Sequence, residues 1–495
     1  MTGELNSLCE AFQRTAATNT GPALVNAQTG HTLTWEEYAA RVRRIAAGLH
    51  ARGVKAGDRV ALLLRNSPEF HLADTAVLHL GATPFSIYPT EPRERMQALV
   101  EDAGAQVLIS EGLTLDVAHN ITDLGDLEDA PDFDFEAAWR SATPETPATI
   151  VYTSGTTGTP KAVLIPHRAV LHGVSGSAAL APVTQPHKTV SFLPNAHISD
   201  RFMCHYYTMV IGGTTTCVPD HERLWDTLRD VRPTRFHGVP RTFEKLADHA
   251  RAYMAEHGSE GVREHLGLDR CEWLSVAAAP SSRSTLEFHH SIGLDLAELW
   301  GMSEFIMAIM NPPGATRIGT VGVPLPAVDA MLGDDGELLL KGPHACIGTD
   351  PEKWAHSGDL AAVDEAGYFT IVGRKKEMMI NSSGKNLFPV KIEATVKECS
   401  PLVGHVAVIA DRRRFVSALI VPDREQAGAF DDVEAEIARA IEQANEKLSR
   451  VERIRAYKVL DTEWQPGGSE LTNTMKLRRA AIEERYADVI EELYA

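Results

Sequence analysis

Apolar residues recur at helical spacing from Trp35 to Arg52, behind Thr34, whose hydroxyl suits a helix N-cap, and the pattern stops at Gly53. Arg59 to Leu64 (RVALLL) is a short apolar run of the kind that becomes a strand covered on both faces. Glu69 to Leu80 returns to helical spacing, and Pro84 to Tyr88 predicts another strand. Thr149 to Tyr152, Val190 to Leu193, Trp273 to Pro280 and Leu294 to Leu299 read as further strands, and Arg235 to Pro240 leads into a helix from Arg241. Strands and helices in alternation predict an α/β fold with mostly parallel sheets.

The pattern shifts near Gly373-Arg374-Lys375-Lys376. Beyond it lies a second alternation: Pro389 to Lys397, Val406 to Ala410, Phe415 to Val421, Asp432 to Arg450, and a last helix around Arg478 to Leu493. A segment of about 120 residues can hold its own core. The expected organisation is a large N-terminal domain over 1–373 and a small mobile α+β C-terminal lid over 374–495, hinged where the two meet.

A chain of 495 residues is too long for one core, in agreement with that division. The net charge of −19, from 48 basic and 67 acidic side chains, argues against nucleic-acid partners and against attraction to anionic membranes. Cys9, Cys204, Cys217, Cys271, Cys346 and Cys399 are scattered without a CxxC pair, so neither a zinc site nor a disulfide framework is expected. The start, MTGELNSLCEAFQRT, has no basic or apolar leader pattern, and no run of about 18 uncharged apolar residues follows. A cytoplasmic protein without stable membrane insertion is the expectation.

Chemistry concentrates first in Val151 to Val170, VYTSGTTGTPKAVLIPHRAV. Thr153, Ser154, Gly155, Thr156, Thr157, Gly158 and Thr159 are all small or hydroxylated, which excludes a helix interior and predicts a loop after a strand. Two glycines let backbone N–H groups approach an anion, the hydroxyls donate further bonds, and Lys161 adds a point charge. Together they make a phosphate cradle. It is not a Walker loop, because Pro160 precedes Lys161 and Ala162 follows it.

Trp300-Gly301-Met302-Ser303-Glu304 stands at the carboxyl end of a predicted strand, where α/β folds bind ligands, and Glu304 offers a carboxylate to Mg²⁺. Ala277, Ala278 and Ala279 leave room for a flat ring against the backbone. In HSGDL, Asp359 follows a glycine turn and is able to accept from both hydroxyls of a ribose, with Gly373-Arg374 downstream. Lys476 sits in LTNTMKLRR near the C-terminus.

These ordered motifs resemble the acyl-adenylating superfamily, which includes acyl-CoA synthetases, peptide-synthetase adenylation domains and luciferases, from about residue 30 to the C-terminus. The resemblance implies that Thr153 to Gly158 and Lys161 hold the β- and γ-phosphates of ATP. It places Trp300, Gly301 and Ser303 in the family's aromatic-Gly-x-Thr/Ser-Glu element, Glu304 on Mg²⁺, Ala278 and Ala279 at the adenine, and Asp359 and Arg374 on the ribose. Lys476 becomes the lid lysine that reaches the α-phosphate and the substrate carboxylate, and Lys376 matches the hinge. The implied reaction is attack of a carboxylic acid on the α-phosphorus of MgATP, giving acyl-AMP and pyrophosphate, followed by acyl transfer.

FSIYPT, VRPTRFHGVP, GRKKE and SGKNLFP resemble the long-chain fatty acyl-CoA synthetases in particular, implying CoA as acceptor. Such enzymes usually read Gly where Ser383 stands, at the passage for the pantetheine arm. That departure keeps open an amide bond synthetase, in which a free amine attacks the acyl-AMP and Asp200 is the candidate general base. The expected catalytic set is thus Lys476, Glu304, Thr153 and Asp200, and the expected acid pocket includes His197, Asp200, His205 and Gly238. Two other patterns carry less. Ser382 to Lys385 satisfies SxxK without the companion elements of acyl hydrolases, and His197, Asp200 and His205 have no metal-ligand spacing. Whether the acid is fatty or aromatic stays open.

Overall fold

The computed structural model describes residues 5–128, 130–131, 133–153, 161–428, 430–472 and 475–495. Trp35–Ala51 is a helix that opens on a capping box, in which Thr34 and Glu37 exchange side-chain bonds to each other's backbone. Arg59–Leu63 lies parallel between Thr83–Ser86 and Val107–Ser110, with His119–Ile121 at the edge. The two flanking strands are buried at every position, which accounts for apolar runs in place of alternation.

Lys188–Ser191, Thr214–Cys217 and Pro22–Asn26 form a second parallel set, closed by the antiparallel Thr32–Thr34. In the third sheet Arg235–Gly238, Trp273–Val276 and Leu296–Met302 are parallel, and Phe305–Met310 turns back antiparallel. Gly238, Val276 and Met302 therefore end at one edge, the edge at which such sheets bind ligands.

The C-terminal part has its own sheet: Val403–Ile409 antiparallel to Val416–Pro422, which is parallel to Ile454–Val459. Period-two alternation splits its side chains between two faces. Val406, Val408 and Ile420 pack against Ile392, Val396, Ile437 and Ile441, while Ala407, Ile409 and Leu419 pack against Ile482 and Ile490. The apolar clusters of the N-terminal part reach Phe369 and those of the C-terminal part begin at Met379, with no shared member.

The last helix differs from the expectation of one element over Arg478 to Leu493. It is two, Arg479–Arg485 and Ala487–Tyr494, separated at Tyr486. The Tyr486 hydroxyl accepts from the Trp464 indole at 3.2 Å, an anchor that holds this residue out of helical geometry. Among the described residues no helix is long and apolar enough to cross a membrane, and the six cysteines are free of disulfides.

Candidate active site

Pro147–Thr153 and Lys161–Pro166 form an antiparallel hairpin with Thr153 opposite Lys161, so both ends of the glycine-threonine loop meet at one point. The Thr153 hydroxyl donates to the Lys161 carbonyl at 3.4 Å. Ser154, Gly155, Thr156, Thr157 and Gly158 lie outside the described residues. Lys161 is exposed, and its Nζ stands 3.4 Å from Oε1 of Glu304, which joins the loop to the turn after Leu296–Met302.

That turn is fixed from several sides. A Cβ on Gly301 would come within 2.8 Å of the Met307 nitrogen, so only glycine lets the two strands close here. Cys346 N–H donates to the Glu304 carbonyl at 2.9 Å, and the Cys346 thiol donates to the Ser303 carbonyl at 3.1 Å. Glu304 is thus a half-exposed carboxylate on an anchored backbone. A lone carboxylate fits Mg²⁺, which takes most of its ligands from phosphate oxygens and water.

Asp359 and Arg374 are paired across neighbouring strands, and Arg374 Nε meets Asp359 Oδ1 at 2.9 Å. The Trp300 indole donates to Oδ2 at 2.9 Å. Each carboxylate oxygen has accepted one bond and keeps a second acceptor site, the number a ribose diol requires. Burial raises the Asp359 pKa, with Arg374, Trp300 and Lys476 opposing it only in part.

Ala278 follows strand Trp273–Val276 with φ of +75°, a left-handed conformation that costs a residue with a Cβ. Ala278→Gly is accordingly expected to raise unfolding stability by about 0.5–1 kcal/mol, read as a higher urea midpoint at unchanged slope. Ala279 beside it is exposed.

Lys476 is presented by a tight turn. Thr472 N–H donates to the Lys476 carbonyl at 2.9 Å, Lys476 N–H donates to the Thr472 hydroxyl at 3.0 Å, and Met475 takes φ of +62°. The side chain keeps solvent contact although protein surrounds it on most sides. These surroundings and Arg374 lower its pKa, while Asp359 and Glu377 oppose the shift. Burial and the Lys476 charge push His197 down to about 4. The C-terminal ammonium therefore acts electrostatically on both His197 and the Asp359–Arg374 pair.

His197 caps the helical segment that begins at Ile198, its Nδ1 accepting from Ser199 N–H at 3.1 Å. The Ser199 hydroxyl pairs with His237 Nε2, and His237 Nδ1 pairs with the Ser275 hydroxyl at 3.1 Å. Gly238 ends its strand where a Cβ would meet Thr242 and Phe243 at 3.1–3.2 Å. His197 and Gly238 thus stand together.

Two expectations need correction. Asp200 does not face the acid site as a base: Oδ1 accepts from Phe192 and Leu193 N–H, and Oδ2 from the Ser191 hydroxyl and the Asn66 amide. These fill its four acceptor positions. Burial still pushes its pKa up to about 6, and its work is to brace the end of a strand. His205 points into the core instead of lining the pocket, with Nε2 at 3.0 Å from Asp74 and Nδ1 at 2.9 Å from His71 Nδ1.

Ser199, His237, Ser275 and Glu298 escaped the sequence reading. Glu298 is two residues before Trp300 and hence on the same strand face, a period-two signal that was present. Burial pushes its pKa up to about 7, and it accepts from Ser281 N–H at 3.4 Å.

Residues 12–348 match the family described as AMP-binding enzyme, and residues 376–495 match the AMP-binding enzyme C-terminal domain. A Mycobacterium tuberculosis protein named fatty-acid–CoA ligase fadD11 is 35% identical over 447 residues, 76% of this chain and 78% of its own length. The long-chain-fatty-acid–CoA ligase FadD15 of Mycobacterium bovis is 30% identical over 559 residues, covering 93% of this chain and 92% of that protein. The A domain of carboxylic acid reductase from Segniliparus rugosus, solved with AMP and a co-purified carboxylic acid, shares the fold with a TM-score of 0.81 at 19% identity, over 100% of this chain and 95% of its own. Matched by the family model over more than half its length, the chain belongs to the AMP-binding enzyme family and is an ATP-dependent, AMP-forming carboxylate ligase.

Proposed function

We propose that this ligase activates a fatty acid as acyl-AMP, releasing pyrophosphate, and then passes the acyl group to CoA. The names of the relatives support the fatty acid and the CoA acceptor. The observation that carries the mechanism is the Lys476 ammonium, whose charge reaches His197 and Asp359 together.

In this reading the acid lies at the His197 and Gly238 end of the third sheet, and the ribose is held by Asp359 and Arg374. Negative charge grows on the α-phosphate oxygens as the carboxylate attacks, and Lys476 meets it at the junction of acid and nucleotide. No protein nucleophile is needed, because positioning and charge compensation supply the rate. Thr153, the loop after it and Lys161 bind the β- and γ-phosphates. Mg²⁺, held by Glu304 and those phosphates, would neutralise charge on the departing pyrophosphate.

Acyl transfer requires Lys476 to withdraw. The C-terminal part touches the rest through Arg241 to Asp423 at 2.8 Å, Lys245 to Glu425 at 3.3 Å, and Arg283 N–H to Glu398 at 2.9 Å. The two ion pairs are partly exposed and contribute about 0–1 kcal/mol each, and with the one hydrogen bond they make a latch weak enough to release. Lys375 stays tied to Asp335 and Glu337, and the exposed Lys376 beside it is the proposed pivot. Ser383 lies on the Asn381–Lys385 turn, exposed from Ser382 onward, which the lid rotation would bring to the passage for the pantetheine arm.

The acceptor is tested by forming the adenylate from ATP, Mg²⁺ and a fatty acid, then adding CoA or a primary amine. Thioester without amide is expected. Amide at the same rate without CoA would overturn the CoA assignment in favour of an amine ligase.

A pH dependence follows from the lowered pKa of Lys476. The ammonium is lost below the ordinary lysine value of about 10.4, so pyrophosphate release should fall on the alkaline side before that pH is reached. Lys476→Arg should move this limb upward, since guanidinium stays charged. A limb that does not move assigns the titration to another group.

A further inference from the structure

Arg235 stands beside Trp273 and His237 beside Ser275 in two parallel strands. Side chains two apart share a face, so these four residues line one surface. Ser199, Met203 and Tyr207, spaced by four along the helical segment from Ile198 to Ile211, pack against it. The row starts next to His197, where Ser199 bonds His237. It ends at Arg235, whose guanidinium carbon lies 4.8 Å from the Tyr207 ring centre and 5.2 Å from that of Trp273. The gap between, also lined by Phe236 and Met203, is too narrow to hold water.

Arg235 is 4% exposed, yet among the described residues its nitrogens meet no anionic partner. Nη2 bonds the neutral Ala181 carbonyl, while Nε and Nη1 have no acceptor. Trp273 Nε1 and the Tyr207 hydroxyl beside it are likewise unpartnered. Glu272, an acid whose charge Arg235 feels, instead accepts bonds from Thr184. A buried unpaired charge costs several kcal/mol, and the two ring contacts offset only about 2 kcal/mol or so each. A row of apolar and adaptable side chains that ends on surplus donors suits a chain with an acceptor at its tip.

We infer that the acyl group runs from His197 along this strand face to Arg235, and that the preferred acid carries a second acceptor, above all a carboxylate, at its far end. The inference rests on the acyl-adenylating reading and specifies its substrate class. Three strand steps lead from Gly238 to Arg235, a rise of about 10 Å, which roughly eight carbons span. Met203, flexible and unbranched, is the side chain best able to yield to the incoming chain.

The test compares kcat/KM for pyrophosphate release with decanoic acid, ω-hydroxydecanoic acid and decanedioic acid. The diacid should exceed the monoacid by about 10-fold or more, the worth of one bond to a charged group, with the hydroxy acid between them. Arg235→Met should lower that ratio by about 30-fold or more, the effect of removing one partner of a buried charge pair, and Arg235→Lys should lower it less. Equal or better use of decanoic acid by the unaltered enzyme overturns the inference, as does a ratio that Arg235→Met leaves unmoved. Should Arg235→Met not fold, the monomethyl ester of decanedioic acid decides: without the far charge it should fall back toward the hydroxy acid, and matching the diacid overturns the inference. Turnover of monoacids with no diacid preference strikes this inference alone, whereas turnover of no acid strikes the adenylation reading as well.

Discussion

Lys476→Ala is expected to slow acid-dependent pyrophosphate release by about 100- to 1000-fold, the usual loss when one donor to developing negative charge is removed. The expectation follows from position. Lys476 has its backbone fixed by two bonds to Thr472, one to the Thr472 N–H and one to its hydroxyl, so the point from which the side chain extends is held in place. Its charge registers both at His197, beside the acid, and at Asp359, beside the ribose. The loss should appear in kcat more than in the KM for ATP, because the interaction strengthens in the transition state. Release at an undiminished rate would remove Lys476 from the chemistry.

Arg201→Met should cost about 3–5 kcal/mol of stability, the penalty for leaving one member of a buried ion pair without its partner. Arg201 and Asp74 are both essentially inaccessible to solvent, and the pair is extended by His205 and then His71. Burial alone would raise the Asp74 pKa, but Arg201 and His205 outweigh it and hold the carboxyl below its usual value. A group depressed in this way contributes stability above its unfolded pKa and loses it as pH falls through the folded one. The mutant carries an uncompensated carboxylate, so its deficit should shrink toward low pH. Equilibrium urea unfolding at pH 7 measures the cost, and a loss under about 1 kcal/mol would mean that water reaches Asp74.

Local signals were legible wherever their cause was local. The helix Trp35–Ala51 is framed by Thr34 and Glu37 within its own first turn, and Pro389–Lys397 begins at a proline suited to that position. Gly301 and Asp359 were readable because a glycine turn or a strand end imposes itself on neighbours in sequence.

What escaped depended on partners far along the chain. Asp200 and His205 follow a strand end and looked available for ligands, but their fates are set by Asn66, Asp74 and His71 on another layer. The segment Arg201–Tyr206 also winds as a π-helix, which no short-range pattern announced. The break at Tyr486 comes from Trp464, and the left-handed turn at Ala278 from the end of an enclosed strand. Arg235 read only as the start of a segment leading into a helix, and the burial of its guanidinium between two rings is what sets it apart.

Exchange of labelled pyrophosphate into ATP, with CoA left out, tests adenylate formation most directly. Exchange that requires a fatty acid and collapses in Lys476→Ala is the expected result. Thioester formation with no acid-dependent exchange, or exchange that proceeds without any acid, would contradict activation of the acid as an adenylate.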